Sequence, residues 1–334
     1  MSRFRSTHLR TALGVLIGLV ALLYLVNTSR LASPVGAELV LLAHRGLGQD
    51  YDREGLTNET CTAERLIPTG HSYLENTLPS MQAAFELGAD VVEFDVHRTE
   101  DDSFAVFHDW TVDCRTDGSG VTHELALDSL QQLDIGYGYT ANGGQTYPFR
   151  GQGVGMMPSL DEVLAAFPDR RFLIDLKSNE PSDGALLADR LAALSPARQA
   201  QLMVYGGGQA VRVVQERLPD LQTIWPARLK QCLTRYLALG WTSHVPAACE
   251  RGVVMVPANV APWLWGWPNR FLQRMDAVGS SVFVIGDYTG ETHSTPFDDP
   301  DRLDMFPEDY SGGVWTDRID LLGPAVDERA GGDE

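Results

Sequence analysis

The sequence predicts an α/β fold, a barrel of eight parallel strands alternating with helices, and three observations predict it. After residue 37, short Val/Ile/Leu-rich runs alternate with longer amphipathic ones, the pattern of a parallel sheet buried on both faces. Eight such runs occur, which favours a closed barrel over an open doubly wound sheet. A length of 334 residues with 44% hydrophobic content also accommodates one barrel of about 250 residues and its core.

Taken in order, the strand candidates are residues 39–43, 91–96, 172–176, 202–205, 223–225, 253–256, 282–285 and 313–315. Helical patterns cover 78–87, 185–194, 209–217, 229–239 and 263–278. No repeat or low-complexity segment interrupts them. Two excursions break the rhythm, at 46–74 and at 110–157, the second rich in Gly, Thr and Tyr. Each starts where a strand ends, on the side where barrel active sites are built, so they are expected to form lid and substrate-selecting parts.

Residues 1–37 read as a targeting segment separate from the barrel domain of 38–334. Arg3, Arg5 and Arg10 precede the uncharged run 11–29, whose apolar part is 12–26. Fifteen apolar residues suit a signal-peptide core and are short for a spanning helix. A small-residue site at Val35-Gly36-Ala37 lies far beyond that run, which favours an uncleaved membrane anchor with its positive end in the cytoplasm. The expectation is an extracytoplasmic, periplasm-side body anchored to the inner membrane, or a secreted one if cleaved after Ala37. The four cysteines, Cys61, Cys114, Cys232 and Cys249, fit an oxidising compartment. Chain order suggests Cys61–Cys114 and Cys232–Cys249, although three pairings are open. No CxxC spacing is present, which disfavours a thiolate zinc site.

The formal net charge is −19, and the four arginines of residues 1–37 leave −23 on the remainder. That argues against nucleic acid as a partner, since phosphate backbones need a basic surface. An anionic small molecule stays compatible, because a bound cation and a few Arg/Lys can create a local positive pocket. No protein partner is indicated.

The chemistry lies at the strand ends. His44-Arg45 ends the first strand, Glu93 and Asp95 the second, Asp175 and Lys177 the third, and His108-Asp109 follows shortly after the second. Strand residues two apart share a face, so Glu93 pairs with Asp95 and Asp175 with Lys177. Three carboxylates without a His/Cys cluster favour one hard cation, Mg²⁺ or Ca²⁺, over zinc. His44 and His108 are candidates for acid and base. Arg45 and Lys177 are natural clamps for a phosphate. His8, His71, His123, His244 and His293 lack this context and read as structural. The Trp263-Leu264-Trp265-Gly266-Trp267 cluster is read first as a helix start packed on the barrel, with a membrane-surface role as the alternative.

His44-Arg45-Gly46, Glu75-Asn76-Thr77, Glu93-Phe94-Asp95-Val96, Thr99 with Asp101, and His108-Asp109 follow one another in the order of the glycerophosphodiester phosphodiesterase family. Arg115-Thr116, the run from Pro158 to Leu164, and Thr316-Asp317 also resemble that family's pattern. The resemblance covers about residues 39–322. It implies a TIM barrel with a segment inserted after the second strand, here 110–157. It implies that His44 and His108 are the general acid/base pair and that Glu93 and Asp95 are metal ligands. Asp175 then stands where the family usually has a glutamate as third ligand. Arg45 and Lys177 match phosphate contacts, and Glu75 matches an acidic residue near the metal, as a ligand or behind one. The family often carries an aromatic-Thr-Val-Asn run on the seventh strand, whereas this chain reads Val284-Ile285-Gly286-Asp287-Tyr288.

The expected activity is metal-dependent hydrolysis of glycerophosphodiesters, or related lipid head-group diesters, to an alcohol and a phosphomonoester. The rivals are a phospholipase D-like enzyme acting on intact lipid and a non-catalytic phosphodiester-binding barrel.

Overall fold

In the computed structural model, which describes residues 2–57, 60–290 and 295–331, eight parallel strands build the centre. They are β1 (Val40–Ala43), β2 (Val91–Arg98), β3 (Arg171–Leu176), β4 (Leu202–Gly206), β5 (Gln222–Ile224), β6 (Val253–Pro257), β7 (Ser281–Ile285) and β8 (Gly313–Thr316). Their hydrogen-bonded order is β5-β4-β3-β2-β1-β8-β7-β6. At the remaining seam, between β5 and β6, Thr223 N–H donates to the Arg251 carbonyl at 3.0 Å. The result is a nearly closed α/β barrel, and all eight expected strands are in it.

Period-two alternation sorts each strand's side chains between barrel interior and helix layer. Leu42, Val91, Leu173, Met203, Val253, Phe283 and Trp315 form the inner core. Leu41, Phe94, Phe172, Val204, Val254 and Val314 point outward into a larger cluster with the helices. Because both faces are covered, the strands read as continuous apolar runs rather than alternating ones.

The helices of seven or more residues are α1 (Ser2–Asn27), α2 (Leu78–Glu86), α3 (Leu160–Ala166), α4 (Pro181–Ala192), α5 (Gly208–Arg217), α6 (Pro226–Leu239), α7 (Asn269–Asp276) and α8 (Ile319–Gly331). Two start earlier than their apolar pattern suggests, because Pro181 and Pro226 suit a first helical position, where no N–H is needed. The helix expected over 263–278 is instead two pieces, a 3₁₀ turn at Ala261–Trp263 and α7. Gly266 sits at φ +86°, and Pro268 supplies no N–H and disfavours helix before it. His8 and His293 lie outside the described side chains.

The two excursions are not independent loops. Within the first, the short strands Asp50–Tyr51 and Leu66–Ile67 pair antiparallel. Just ahead of the second, a strand at Phe104–Val106 doubles back on β2 and delivers the chain to His108. Ala63, Leu66 and Leu74 from one excursion share a second apolar core with Val112, Leu130, Ile135, Tyr139 and Phe149 from the other. A disulfide, Cys61–Cys114, joins them, and Cys232–Cys249 ties the middle of α6 to the approach to β6. Among the described residues, no helix is long and apolar enough to cross a membrane.

Candidate active site

The strands that hold the inner core run on into a polar mouth, and the same period that buried Leu42, Val91, Leu173 and Trp315 now presents His44, Glu93, Asp95, Asp175 and Asp317. Register aligns them: Asp95 sits beside Asp175 and Asp175 beside Tyr205. Glu93, Asp95 and Asp175 each bring a carboxylate oxygen within 4.8 Å of the others. All three are buried.

Local backbone explains the flanking residues. Arg45 and Gly46 leave β1 in the left-handed region, at φ +57° and +76°. The turn aims Arg45 N–H at Glu93 Oε2, 3.0 Å away. Thr77 caps α2 through a capping box with Ser80, which holds Glu75 and Asn76 just before the helix. Asn76 adopts φ +61°, tolerable for Asn. It donates through Nδ2 to Asp95 Oδ2 at 2.8 Å and accepts the Asp95 backbone N–H at 3.1 Å through Oδ1.

The cations are shared among the carboxylates. Arg45 donates to Glu75 Oε1 at 2.9 Å and lies 3.2 Å from Asp95 Oδ2. Lys177 Nζ is 3.1 Å from both Asp95 Oδ1 and Asp175 Oδ2, yet Asp95 Oδ1 accepts no well-formed hydrogen bond among the described residues. Tyr205 donates its hydroxyl to Glu93 Oε1 at 2.8 Å.

Each histidine is gripped at Nδ1 by a carboxylate. His44 Nδ1 is 2.5 Å from Asp317 Oδ1, and Arg53 donates to the other Asp317 oxygen at 2.6 Å. His108 Nδ1 is 2.7 Å from Asp109 Oδ1, and Arg115 donates to Asp109 Oδ2 at 2.9 Å. Arg115 also lies 3.2 Å from Glu75 Oε2 and donates to Tyr139 and Thr62. Asp109 therefore links His108 to the second excursion, and Arg115 links it onward to the first.

The electrostatics follow from burial and neighbours. Burial, then the adjacent Asp95 charge, pushes the Glu93 carboxyl up to about 8. Burial and Asp95 also raise Asp175, against the pull of Lys177. Asp95 is held well below the usual carboxylate range despite its burial, because Lys177 and Arg45 face it. Burial, Arg45 and Lys177 lower His108 to about 4. Burial and Arg45 also act to lower His44, but Asp317 and Glu93 outweigh them and raise it.

The candidate catalytic, phosphate-binding and metal residues are therefore in one place: His44, Arg45, Glu75, Glu93, Asp95, His108, Asp175 and Lys177. Glu75 stands apart from the three-carboxylate cluster, both its oxygens taken by Arg45 and Arg115. The partners that sequence reasoning left without roles are Asp317, Asp109, Arg115, Tyr205, Arg53 and His97. Asp317 and Tyr205 were accessible in principle, since each sits at a strand's C-terminal end. His97 shares the face of Glu93 and Asp95, is buried, and its Nε2 lies 3.2 Å from the His108 carbonyl. A cavity of about 1150 Å³ opens above the cluster, lined by His44, Arg45, His108, Lys177, Trp110 and Asp317 among others.

Comparison with known proteins places this architecture. Residues 44–193 match the model of the glycerophosphoryl diester phosphodiesterase family. A glycerophosphodiester phosphodiesterase of Caldanaerobacter subterraneus subsp. tengcongensis is 35% identical over 103 residues, 31% of this chain and 39% of that protein. One of Bacillus subtilis is 32% identical over 114 residues, 33% of this chain and 38% of that protein. The chain thus spans about two fifths of the length of these curated relatives.

Among solved structures, the glycerophosphoryl diester phosphodiesterase domain of an uncharacterized Mycobacterium tuberculosis protein superposes with TM-score 0.58 at 16% identity, covering 86% of this chain and 98% of that one. An Oleispira antarctica phosphodiesterase in complex with the product sn-glycerol-3-phosphate gives TM-score 0.52 at 19% identity, covering 86% and 96%. At these identities the structural likeness shows the barrel fold, and the sequence matches carry the relationship. Over residues 44–193 the chain is similar to the glycerophosphoryl diester phosphodiesterase family.

Proposed function

We propose that this protein hydrolyses glycerophosphodiesters, or related lipid head-group phosphodiesters, with a divalent cation and two histidines. The observation that carries the reading is the pair His44 and His108, each held at Nδ1 by its own aspartate, beside three buried carboxylates. That arrangement turns both Nε2 atoms away from the supporting aspartates, with His44 Nε2 3.7 Å from Glu93 Oε2, and a binding protein has no need of two oriented imidazoles.

The residues fit a hard cation such as Mg²⁺ or Ca²⁺. Glu93, Asp95 and Asp175 supply clustered oxygens, and among the described residues Asp95 Oδ1 accepts no well-formed hydrogen bond. When bound, such an ion would neutralise charge on the phosphodiester oxygens. Arg45 and Lys177 orient the phosphate. One histidine takes the proton of the attacking water or neighbouring substrate hydroxyl, and the other gives a proton to the departing alkoxide.

We also infer an extracytoplasmic body, held at the membrane by the N-terminal segment. The two disulfides support it, together with the arginines that precede the apolar run.

The test is a panel of glycerophosphodiesters and intact phospholipids, assayed with a chelator and with metal added back. The reading expects release of phosphomonoester from the small diesters, lost with chelator and absent in His44→Ala and His108→Ala. Turnover confined to intact lipid would promote the phospholipase D-like alternative. Binding without turnover would leave a phosphodiester-binding barrel.

A further inference from the structure

The described part of α1 carries apolar side chains on every side. Leu13, Leu16, Ile17, Leu19, Val20 and Leu25 are each more than half exposed, and at about 100° per residue they circle the helix. A helix apolar all round needs cover on all faces. A second protein surface would cover one stripe, whereas lipid covers the whole circumference.

The end of this helix is fastened to the barrel at a defined place. Arg274 of α7 donates to the Val26 carbonyl at 2.9 Å and to Asn27 Oδ1 at 3.1 Å. Asn27 Nδ2 donates to the Trp241 carbonyl at 2.9 Å. Around that junction Leu31, Leu239, Trp241, Trp263 and Trp265 are all exposed, Trp263 by 76%. Trp265 joins the group because its Nε1 donates to the Leu237 carbonyl at 3.0 Å and its own carbonyl accepts the Tyr236 hydroxyl at 2.8 Å. Apolar surface therefore continues from α1 onto the barrel body, and it does so through tryptophans, whose rings favour the headgroup layer.

We propose that this face, formed by the C-terminal ends of α6 and α7 and the loop before α7, docks on a lipid bilayer. In that arrangement α1 inserts into the apolar layer and Trp241, Trp263 and Trp265 rest among the headgroups. Helices α6 and α7 end where the chain turns back toward the starts of β6 and β7, while the catalytic cavity opens at the strands' opposite ends. Trp263 and Trp265 sit on the loop that leaves β6 at the cavity's end and runs to α7, so the docked face extends down the side of the barrel. The docking surface is independent of the proposed phosphodiesterase reading.

The experiment uses the full chain reconstituted with phosphatidylcholine vesicles whose acyl chains carry bromine, a short-range quencher of tryptophan fluorescence. Quenching should be lost for the most part in the W241F/W263F/W265F variant and retained in W110F, since Trp110 lines the mouth. Quenching unchanged in the triple variant, or abolished in W110F, overturns the proposal. Hydrogen exchange on the unsubstituted protein provides a check free of folding defects. Vesicles should protect 239–243 and 261–267; protection at 110–122 instead, or equal protection in a lipid-free dimer, also overturns it. Intact docking with no hydrolysis of soluble diesters would count against the catalytic reading alone.

Discussion

His44 Nδ1 lies 2.5 Å from Asp317 Oδ1, although 273 residues separate them in sequence. Strands β1 and β8 are neighbours, and their ladder ends by pairing Ala43 with Thr316. The next residue on each strand therefore projects at the same height into the mouth. Asp317 fixes the imidazole's orientation and tautomer, with Nε2 turned away from it. Asp317→Asn is expected to lower kcat by about 10²-fold or more, with a smaller change in KM and an unchanged fold by circular dichroism. A kcat like that of the unsubstituted protein would remove Asp317 from this role.

The carboxylate cluster makes a prediction that does not depend on turnover. Mg²⁺ or Ca²⁺ should raise the melting temperature of the metal-free protein, equivalent to about 2.7 kcal/mol at a hundredfold excess over Kd. In Asp95→Asn or Glu93→Gln the shift should shrink strongly. Equal shifts in the variants would place any bound ion elsewhere.

The disulfide between the excursions sits against the second histidine's support. Cys61 and Cys114 immediately precede Thr62 and Arg115, and Arg115 donates to both Thr62 and Asp109. Opening a loop with a sequence separation of 53 should cost about 4 kcal/mol on the chain-entropy account. In a Cys232→Ala/Cys249→Ala background, denaturant unfolding with and without reductant isolates this bond. Activity should fall along with stability, because His108 loses the anchoring of Asp109.

His97 sets an acid limit on stability. Burial, its largest influence, lowers it from an ordinary 6.5 to about 4, so the folded state prefers the neutral ring. Its contribution is complete above 6.5 and is lost as pH falls from 6.5 toward 4. At pH 5 the loss is about 2 kcal/mol. His97→Gln, which keeps a donor for the His108 carbonyl, should flatten the dependence of unfolding free energy between pH 7.5 and 5. An equally steep dependence in the variant would assign the acid sensitivity to other groups.

Gly46 is the turn on which the first strand end depends. At φ +76°, an added Cβ would stand 2.7 Å from Ser80 Oγ and 2.9 Å from the Ser80 carbonyl carbon. Gly46→Ala should destabilise by about 1–3 kcal/mol, measured by denaturant titration. It should also reduce activity, since the same turn directs Arg45 toward Glu93.

The sequence by itself determined the eight strands, most helices, and which side chains on β1, β2 and β3 share an inward face. Those properties are local: a two-residue period and a stretch of apolar residues need no knowledge of distant chain. That is why His44, Glu93, Asp95, Asp175 and Lys177 could be named before their positions were known. Only the tertiary structure decided that Asp317 meets His44, that Tyr205 meets Glu93, and that Arg115 joins Asp109 to Glu75. It also decided the cysteine pairing and divided the helix expected over 263–278. These outcomes depend on barrel register and on two excursions folding over one shared core. Such contacts bring together residues tens to hundreds of positions apart, and no local pattern encodes them.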